Sequence, residues 1–252
     1  MLKLKTLLIV SVTVTLYAGY ADAHPASQLR DRSYYEERGD IVWEVPTEKK
    51  TIAFTFDDGP DQRQTPKILE VLEQYQAKAT FFVVGDRVDR FPEIVRMELS
   101  KGHEIGNHSY HHPSFQNLGR DSILSELTKT QQAISQATGQ TALLFRPPGG
   151  SYNQYIINIS KENNLQLILW SWHQDTKDWK APGVQRIVNK VLNNVRNGDI
   201  ILMHDYVYNS SQTSEALKII LPELQKRGYS FVTVSQLLSQ KDDQDHHIKV
   251  TQ

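Results

Sequence analysis

The sequence contains no cysteine. Disulfides are therefore excluded as a source of stability, thiolates as nucleophiles, and Cys sulfur as a metal ligand. A surplus of charge is missing too: 28 Lys and Arg face 29 Asp and Glu, a net charge of −1. Such a balance gives no electrostatic reason to expect nucleic acid or an anionic membrane as partner. No apolar run reaches the ~20 residues of a spanning helix. Internal repeats and low-complexity blocks are absent as well.

What is present is a chain of 252 residues, 39% hydrophobic, enough for one sizeable core. Single α/β barrels often take roughly 200–250 residues. The N-terminus reads as an export signal over residues 1–23. Lys3 and Lys5 give the positive start, residues 7–18 are mostly apolar, and Ala21, Asp22 and Ala23 fit a small-x-small cleavage site. Cleavage there would leave a net charge of −2. The product is expected to be secreted or associated with the cell wall, free of the membrane and monomeric. An uncleaved N-terminal anchor is the rival reading. Residues 24–50 are polar and irregular, an extension that serves as linker or wrap. The folded domain is expected over 51–238. Residues 239–252 form a polar tail whose His246 and His247 read as solvated.

The middle of the chain alternates strand and helix. Apolar or β-rich runs at 51–56, 80–84, 103–106, 143–145, 165–171, 200–203 and 230–234 read as strands. Helical patterns fill the gaps: one opening at Thr65 and Pro66, then 93–101, 121–137 closed by Gly139, 153–163, 184–196, and 213–226 despite Pro222. Such alternation implies parallel βαβ units, and seven of them suggest a distorted (β/α)7, TIM-barrel-like fold. An open doubly wound sheet is the alternative, because periodicity alone does not reveal closure.

Polar residues that carry chemistry fall just after the strands, where parallel barrels keep their active sites. Asp57 and Asp58 follow the first strand, and two adjacent carboxylates raise each other's pKa unless a cation neutralises one. His108, His111 and His112 follow the third. Either His108 with His112 or His108 with His111 would serve as a metal pair, and spacing does not separate them. With one Asp they make a two-His, one-carboxylate set that leaves coordination positions open, suited to Zn²⁺ and also to Co²⁺, Mn²⁺ or Fe²⁺. The Asn-His-Ser triplet at 107–109 also fits a glycosylation sequon, which is discounted as accidental. Arg146 heads a Pro-Pro-Gly-Gly bend and can orient a carboxylate. Trp170, Trp172 and Trp179 fall within ten residues. Trp170 reads as core and Trp179 as a platform for a sugar face. His173 reads as structural, and His204 after the sixth strand as a general acid.

Five motifs in order, TFDDGP (55–60), HSYHH (108–112), RPPGG (146–150), DTKDW (175–179) and LMH (202–204), resemble the polysaccharide deacetylase family, the NodB-homology domain of carbohydrate esterase family four. The resemblance spans roughly residues 51–236. It implies that Asp58, His108 and His112 hold one divalent metal. Asp57 is then the general base toward the attacking water and Arg146 its orienting partner. His204 protonates the leaving amine, with Asp178 tuning it. Trp179 and Leu202 line the acetyl and sugar pocket. Many members carry tyrosine where this chain has Gly149. Glycine keeps the backbone N–H that binds the oxyanion but loses the ring, and Tyr152 is a candidate to replace it.

The implied reaction is hydrolysis of N-acetyl groups on the GlcNAc units of a polysaccharide. Export favours peptidoglycan, with chitin-like chains next. O-deacetylation of a xylan-type ester would use the same groups. A non-catalytic glycan-binding protein would lack Asp57 or His204, and both are present. A phosphoesterase would need more basic clamps than Arg146.

Overall fold

The computed structural model describes residues 30–240 apart from Asn209 and Ser211. The expected signal segment, His246 and His247 lie outside the described residues. In chain order the elements are α1 (Arg32–Glu37), β1 (Ile41–Val42), β2 (Thr51–Asp57), α2 (Gln64–Gln74), β3 (Ala79–Val83), α3 (Gly85–Arg90) and α4 (Pro92–Ser100). There follow β4 (Glu104–Asn107), α5 (Arg120–Thr138), β5 (Leu144–Phe145), α6 (Gln154–Glu162), β6 (Gln166–Ile168), α7 (Val184–Leu192), β7 (Ile200–His204), α8 (Gln212–Lys226) and β8 (Ser230–Phe231).

Seven strands form one parallel path in the order β1-β6-β5-β4-β3-β2-β7. The sheet curls, and its two edges meet at a seam rather than a full ladder. Across it Ser171 N–H donates to Ile200 O (3.0 Å) and Val45 N–H to Gly198 O (2.9 Å), beside an isolated bridge between Glu44 and Asp199. The Asp199 carboxylate is the hub of the seam, accepting from Gln174 Nε2 (3.0 Å) and the Arg196 N–H (2.8 Å) and facing His173 Nε2 (2.9 Å). This is the distorted barrel expected from the alternation, not an open sheet.

One expectation changes, and one open alternative closes. The seventh barrel strand is β1, from the N-terminal stretch, and not the run at 230–234. Beyond Ile52, β2 already has β7 on one side and β3 on the other, so β8 reaches only Thr51 and Ile52. The stretch before residue 51 is correspondingly a wrap rather than a linker from Asp31 onward. The Asp31 carboxylate caps α1 by accepting from Tyr34 N–H (3.1 Å), and Tyr35, Ile41, Trp43 and Val45 are buried.

The strands are apolar on both faces, as parallel strands covered by helices must be. Phe54, Phe56, Phe81, Phe82, Ile201 and Met203 are all fully buried. Gly106 makes room for the Phe82 ring, which a Cβ would meet at 2.4 Å. The long α5 ends where expected, at Gly139 with φ 74°, its N–H donating to Ser135 O (2.8 Å).

Candidate active site

In register, β2 lies beside β7 and β3, so Asp57 stands opposite both His204 and Phe82 at the C-terminal ends of the strands. Asn107, the last residue of β4, pairs with Phe145, which places His108 and Arg146 one step beyond. The strand-end positions picked out in the sequence thus converge on one mouth, a cleft of about 360 Å³. Asp57, Asp58, His108, His112, Gly149, Trp179, Leu202 and His204 line it. Arg146 and Asp178 do not; they stand behind Asp57 and His204.

Arg146 is fully buried and spends its guanidinium on four acceptors: Asp57 Oδ1 (2.7 Å), Thr55 Oγ1 (2.8 Å), Leu169 O (2.8 Å) and Ile168 O (3.3 Å). Its face lies 4.1 Å from the centre of the Phe82 ring. Burial lowers the Arg146 pKa, against the charge of Asp57, which opposes the shift. Asp57 is held in one orientation with Oδ2 left toward the cleft, 3.8 Å from His108 Nε2.

His108 Nδ1 lies 2.7 Å from Arg146 O. A carbonyl only accepts, so Nδ1 carries the proton and Nε2 presents its lone pair to the cleft. Asp58 Oδ1 sits 3.4 Å from that Nε2 and 3.2 Å from His112 Nε2. This oxygen is buried and has no hydrogen-bond partner. One ligand atom from each of Asp58, His108 and His112 lies within 4.8 Å of the others. An orphaned carboxylate oxygen facing two imidazole lone pairs fits a divalent ion with positions left open. His112 comes together with His108 and Asp58, while His111 turns away to the carboxylate of Glu126 (2.7 Å). Asn107 is buried and donates to Leu127 O (3.0 Å), which leaves no room for a glycan. Burial pushes the Asp58 carboxyl upward, but the electrostatic pull of the His108 imidazole when protonated, then of His204 and His112, outweighs it and brings its pKa to about 2.

His204 Nδ1 donates to Asp178 Oδ1 (2.7 Å), and its backbone N–H to Oδ2 (2.8 Å). Thr213 Oγ1 adds a bond to the same carboxylate (2.7 Å). Burial alone would lower the His204 pKa; the hydrogen bond and charge of Asp178, then Asp57 and Asp58, overcome it and raise it to about 9. Gly149 adopts φ 63° in the turn after Pro148, with open space where a side chain would stand. Trp179 is half exposed at the rim.

Two residues are placed otherwise than the sequence reading had them. Trp170 is not wholly core: it lies beyond β6, half-buried, lining the cleft beneath Gly150, whose added Cβ would meet its ring at 2.6 Å. Tyr152 does not replace the missing ring; it packs edge-on against Tyr35 and Trp43, both at 5.6 Å. Asp175 reaches the cleft wall. A second group able to hold a cation, Glu44, His173 and Asp199, belongs to the seam, and His173 is structural there.

Among known families, the polysaccharide deacetylase model matches residues 44–168. The peptidoglycan-N-acetylglucosamine deacetylase of Bacillus cereus is 48% identical over 210 residues, covering 83% of this chain and 98% of that one. A crystallised peptidoglycan N-acetylglucosamine deacetylase, Bc1960, in complex with 4-naphthalen-1-yl-N-oxidanyl-benzamide, superposes with TM-score 0.78 at 34% identity, covering 83% of this chain and 97% of that one. A pseudoenzyme of carbohydrate esterase family four from Bacillus anthracis superposes with TM-score 0.74 at 32% identity, covering 79% and 69%.

Proposed function

This chain belongs to the polysaccharide deacetylase family, and from that premise we propose that it is an exported, monomeric, metal-dependent hydrolase that removes N-acetyl groups from the GlcNAc residues of peptidoglycan and releases acetate. The fold alone does not carry this, since a pseudoenzyme shares it. The observation that carries it is the convergence on one cleft of a complete donor set, a clamped carboxylate and a carboxylate-paired histidine.

Asp58, His108 and His112 would hold the ion, Zn²⁺ in the first place and Co²⁺, Mn²⁺ or Fe²⁺ by the same donor chemistry. Bound there, a divalent ion supplies Lewis acidity to the acetyl carbonyl and acidifies a water. Asp57 takes the proton of the attacking water through Oδ2, while Arg146 pins Oδ1. The N–H of Gly149 receives the developing oxyanion. His204 donates from Nε2 to the departing nitrogen, because an amide anion leaves poorly without a proton. Asp178 keeps that imidazole charged. Trp179 and Leu202 line the acetyl and sugar pocket. The reaction thus uses Asp57 ionised and His204 protonated in one site.

Acetate release from peptidoglycan and from chitooligosaccharides tests this, with the chain lacking residues 1–23, Zn²⁺ or Co²⁺, a chelator arm and an Asp57→Asn variant. Release that is chelator-sensitive and falls about 10²–10⁴-fold in the variant is expected, with peptidoglycan the better substrate. Release from an acetylated xylan but from neither amide substrate would replace N-deacetylation by ester hydrolysis.

A further inference from the structure

We propose that Glu126, on α5, is a positioning residue of the metal centre: its carboxylate sets the loop that carries His108 and His112, so that affinity for the divalent ion depends on a side chain outside the ligand set. The inference rests on the reading that Asp58, His108 and His112 hold that ion.

Residues 108–112 belong to no helix or strand. Two of them, Ser109 (φ 65°) and His112 (φ 56°), sit in the left-handed region, which side chains other than glycine occupy only where their surroundings over-determine them. The loop is tied from three directions. From behind, Asn107 Oδ1 accepts the Ser109 N–H (2.9 Å). From α3, Gly85 N–H donates to Ser109 O and Asp86 N–H to Tyr110 O, both at 3.0 Å. From α5, Glu126 Oε2 accepts the N–H of Tyr110 (2.9 Å) and of His111 (2.7 Å), while Oε1 takes the His111 Nδ1 proton (2.7 Å).

The first two ties reach Ser109 and the carbonyl of Tyr110. Only Glu126 fixes Tyr110 and His111 through their N–H groups, the stretch that leads directly into His112. Glu126 is 9% exposed, and a buried carboxylate is stable only with its oxygens engaged. Here three donors engage it, and all three come from the loop that bears the ligands. Its platform is a 19-residue helix, a rigid support. A site loosened by about 1 Å loses its function, and this loop conformation holds His112 Nε2 3.2 Å from Asp58 Oδ1. Glu126 therefore acts on His112 through the backbone of Tyr110 and His111, beside the tie that Ser109 Oγ gives the His112 N–H (3.1 Å), whereas Arg146 O holds the His108 ring directly.

The test measures Zn²⁺ affinity of the full chain by competition with a chromophoric chelator, and the visible spectrum of the Co²⁺-loaded protein. Glu126→Ala should weaken Zn²⁺ about 10–100-fold, the range for outer-shell partners, and alter the Co²⁺ spectrum. Glu126→Gln should restore affinity to within about threefold: its amide oxygen still accepts both N–H groups, and its NH₂ faces His111 Nδ1 once that ring exchanges tautomer. His111→Ala, which removes only the ring contact, should bind like the wild type. Unchanged affinity and spectrum in Glu126→Ala would overturn the proposal, whatever happens to its melting temperature, because the residue would then be structural only. If Glu126→Ala does not fold, Glu126→Asp, too short to span the N–H groups and the ring, is judged by the same two readouts. A wild-type chain that takes up no metal, or an Asp58→Asn variant that binds as tightly, overturns the reading of the site itself and this inference with it.

Discussion

Arg146 has no accessible surface, and of its four acceptors only Asp57 is charged. Removing one member of a buried pair strands the other, at a cost of about 3–5 kcal/mol. For a chain of this size each kcal/mol moves Tm by about 2–4 °C. Arg146→Ala should therefore lower Tm by on the order of 10 °C, as well as abolish acetate release; an unchanged melt would mean that Asp57 finds another partner. His204, the proposed proton donor, should set the alkaline limb of kcat. Its pKa is raised from 6.5 to about 9, so the acid stays protonated, and kcat holds, until pH rises through about 9. The same shift makes a stability contribution that is full below about 6.5 and lost as pH rises through about 9. Asp178→Asn removes the partner anion and should move the alkaline limb of kcat toward neutral pH; an unmoved limb would take the proton-donor role from His204. At this scale the sequence was legible wherever a residue sits in a motif at a strand end. Thr213 and Glu126 were not, because a threonine or a glutamate on a helix has the same local pattern whether it faces solvent or a buried partner. Only the fold brings Thr213 to Asp178, 35 residues away.

Among the elements, the N-terminal wrap is where local pattern misled. Residues 41–42 form too short a strand to show alternation, and their apolar character is diluted by the polar stretch around them. The long elements were plain, β2 as a continuous β-rich run and α5 because it holds its helical period over many residues. The wrap is nonetheless part of the core. Burying each of Tyr35, Ile41, Trp43 and Val45 contributes about 1.5–3 kcal/mol, together on the order of 6–12 kcal/mol. That is comparable to the total stability of a typical domain, about 5–15 kcal/mol. A chain cut to residues 51–240 would also expose the edge of β6 that pairs with β1. It should give no cooperative thermal transition by circular dichroism, whereas residues 30–240 should melt as one unit. A cooperative melt of the shorter chain would mean that the barrel closes without β1.

The whole molecule uses the barrel to bring together residues far apart in sequence, and the donor set is the sharpest case. Asp58 follows β2 and the two histidines follow β4, so an ion held among them ties two separate segments of the sheet end. An ion that binds the folded chain and not the unfolded one stabilises by about 2.7 kcal/mol at a concentration of 100 Kd. At about 2–4 °C per kcal/mol, Zn²⁺ in that excess should raise Tm by roughly 5–10 °C over the chelator-treated chain. Mg²⁺, which prefers oxygen ligands and retains its water, should not. Asp58→Asn and His112→Ala should lose the shift. His204→Ala should keep it while losing acetate release, since that imidazole gives a proton rather than a lone pair to the cleft. Differential scanning fluorimetry of the wild type and these three variants reads the shifts, and an acetate assay of His204→Ala reads the lost release. A full shift surviving in both ligand variants would move the stabilising ion to the seam, where His173→Ala would then remove it, and would separate what the ion does for the fold from what the cleft does for chemistry.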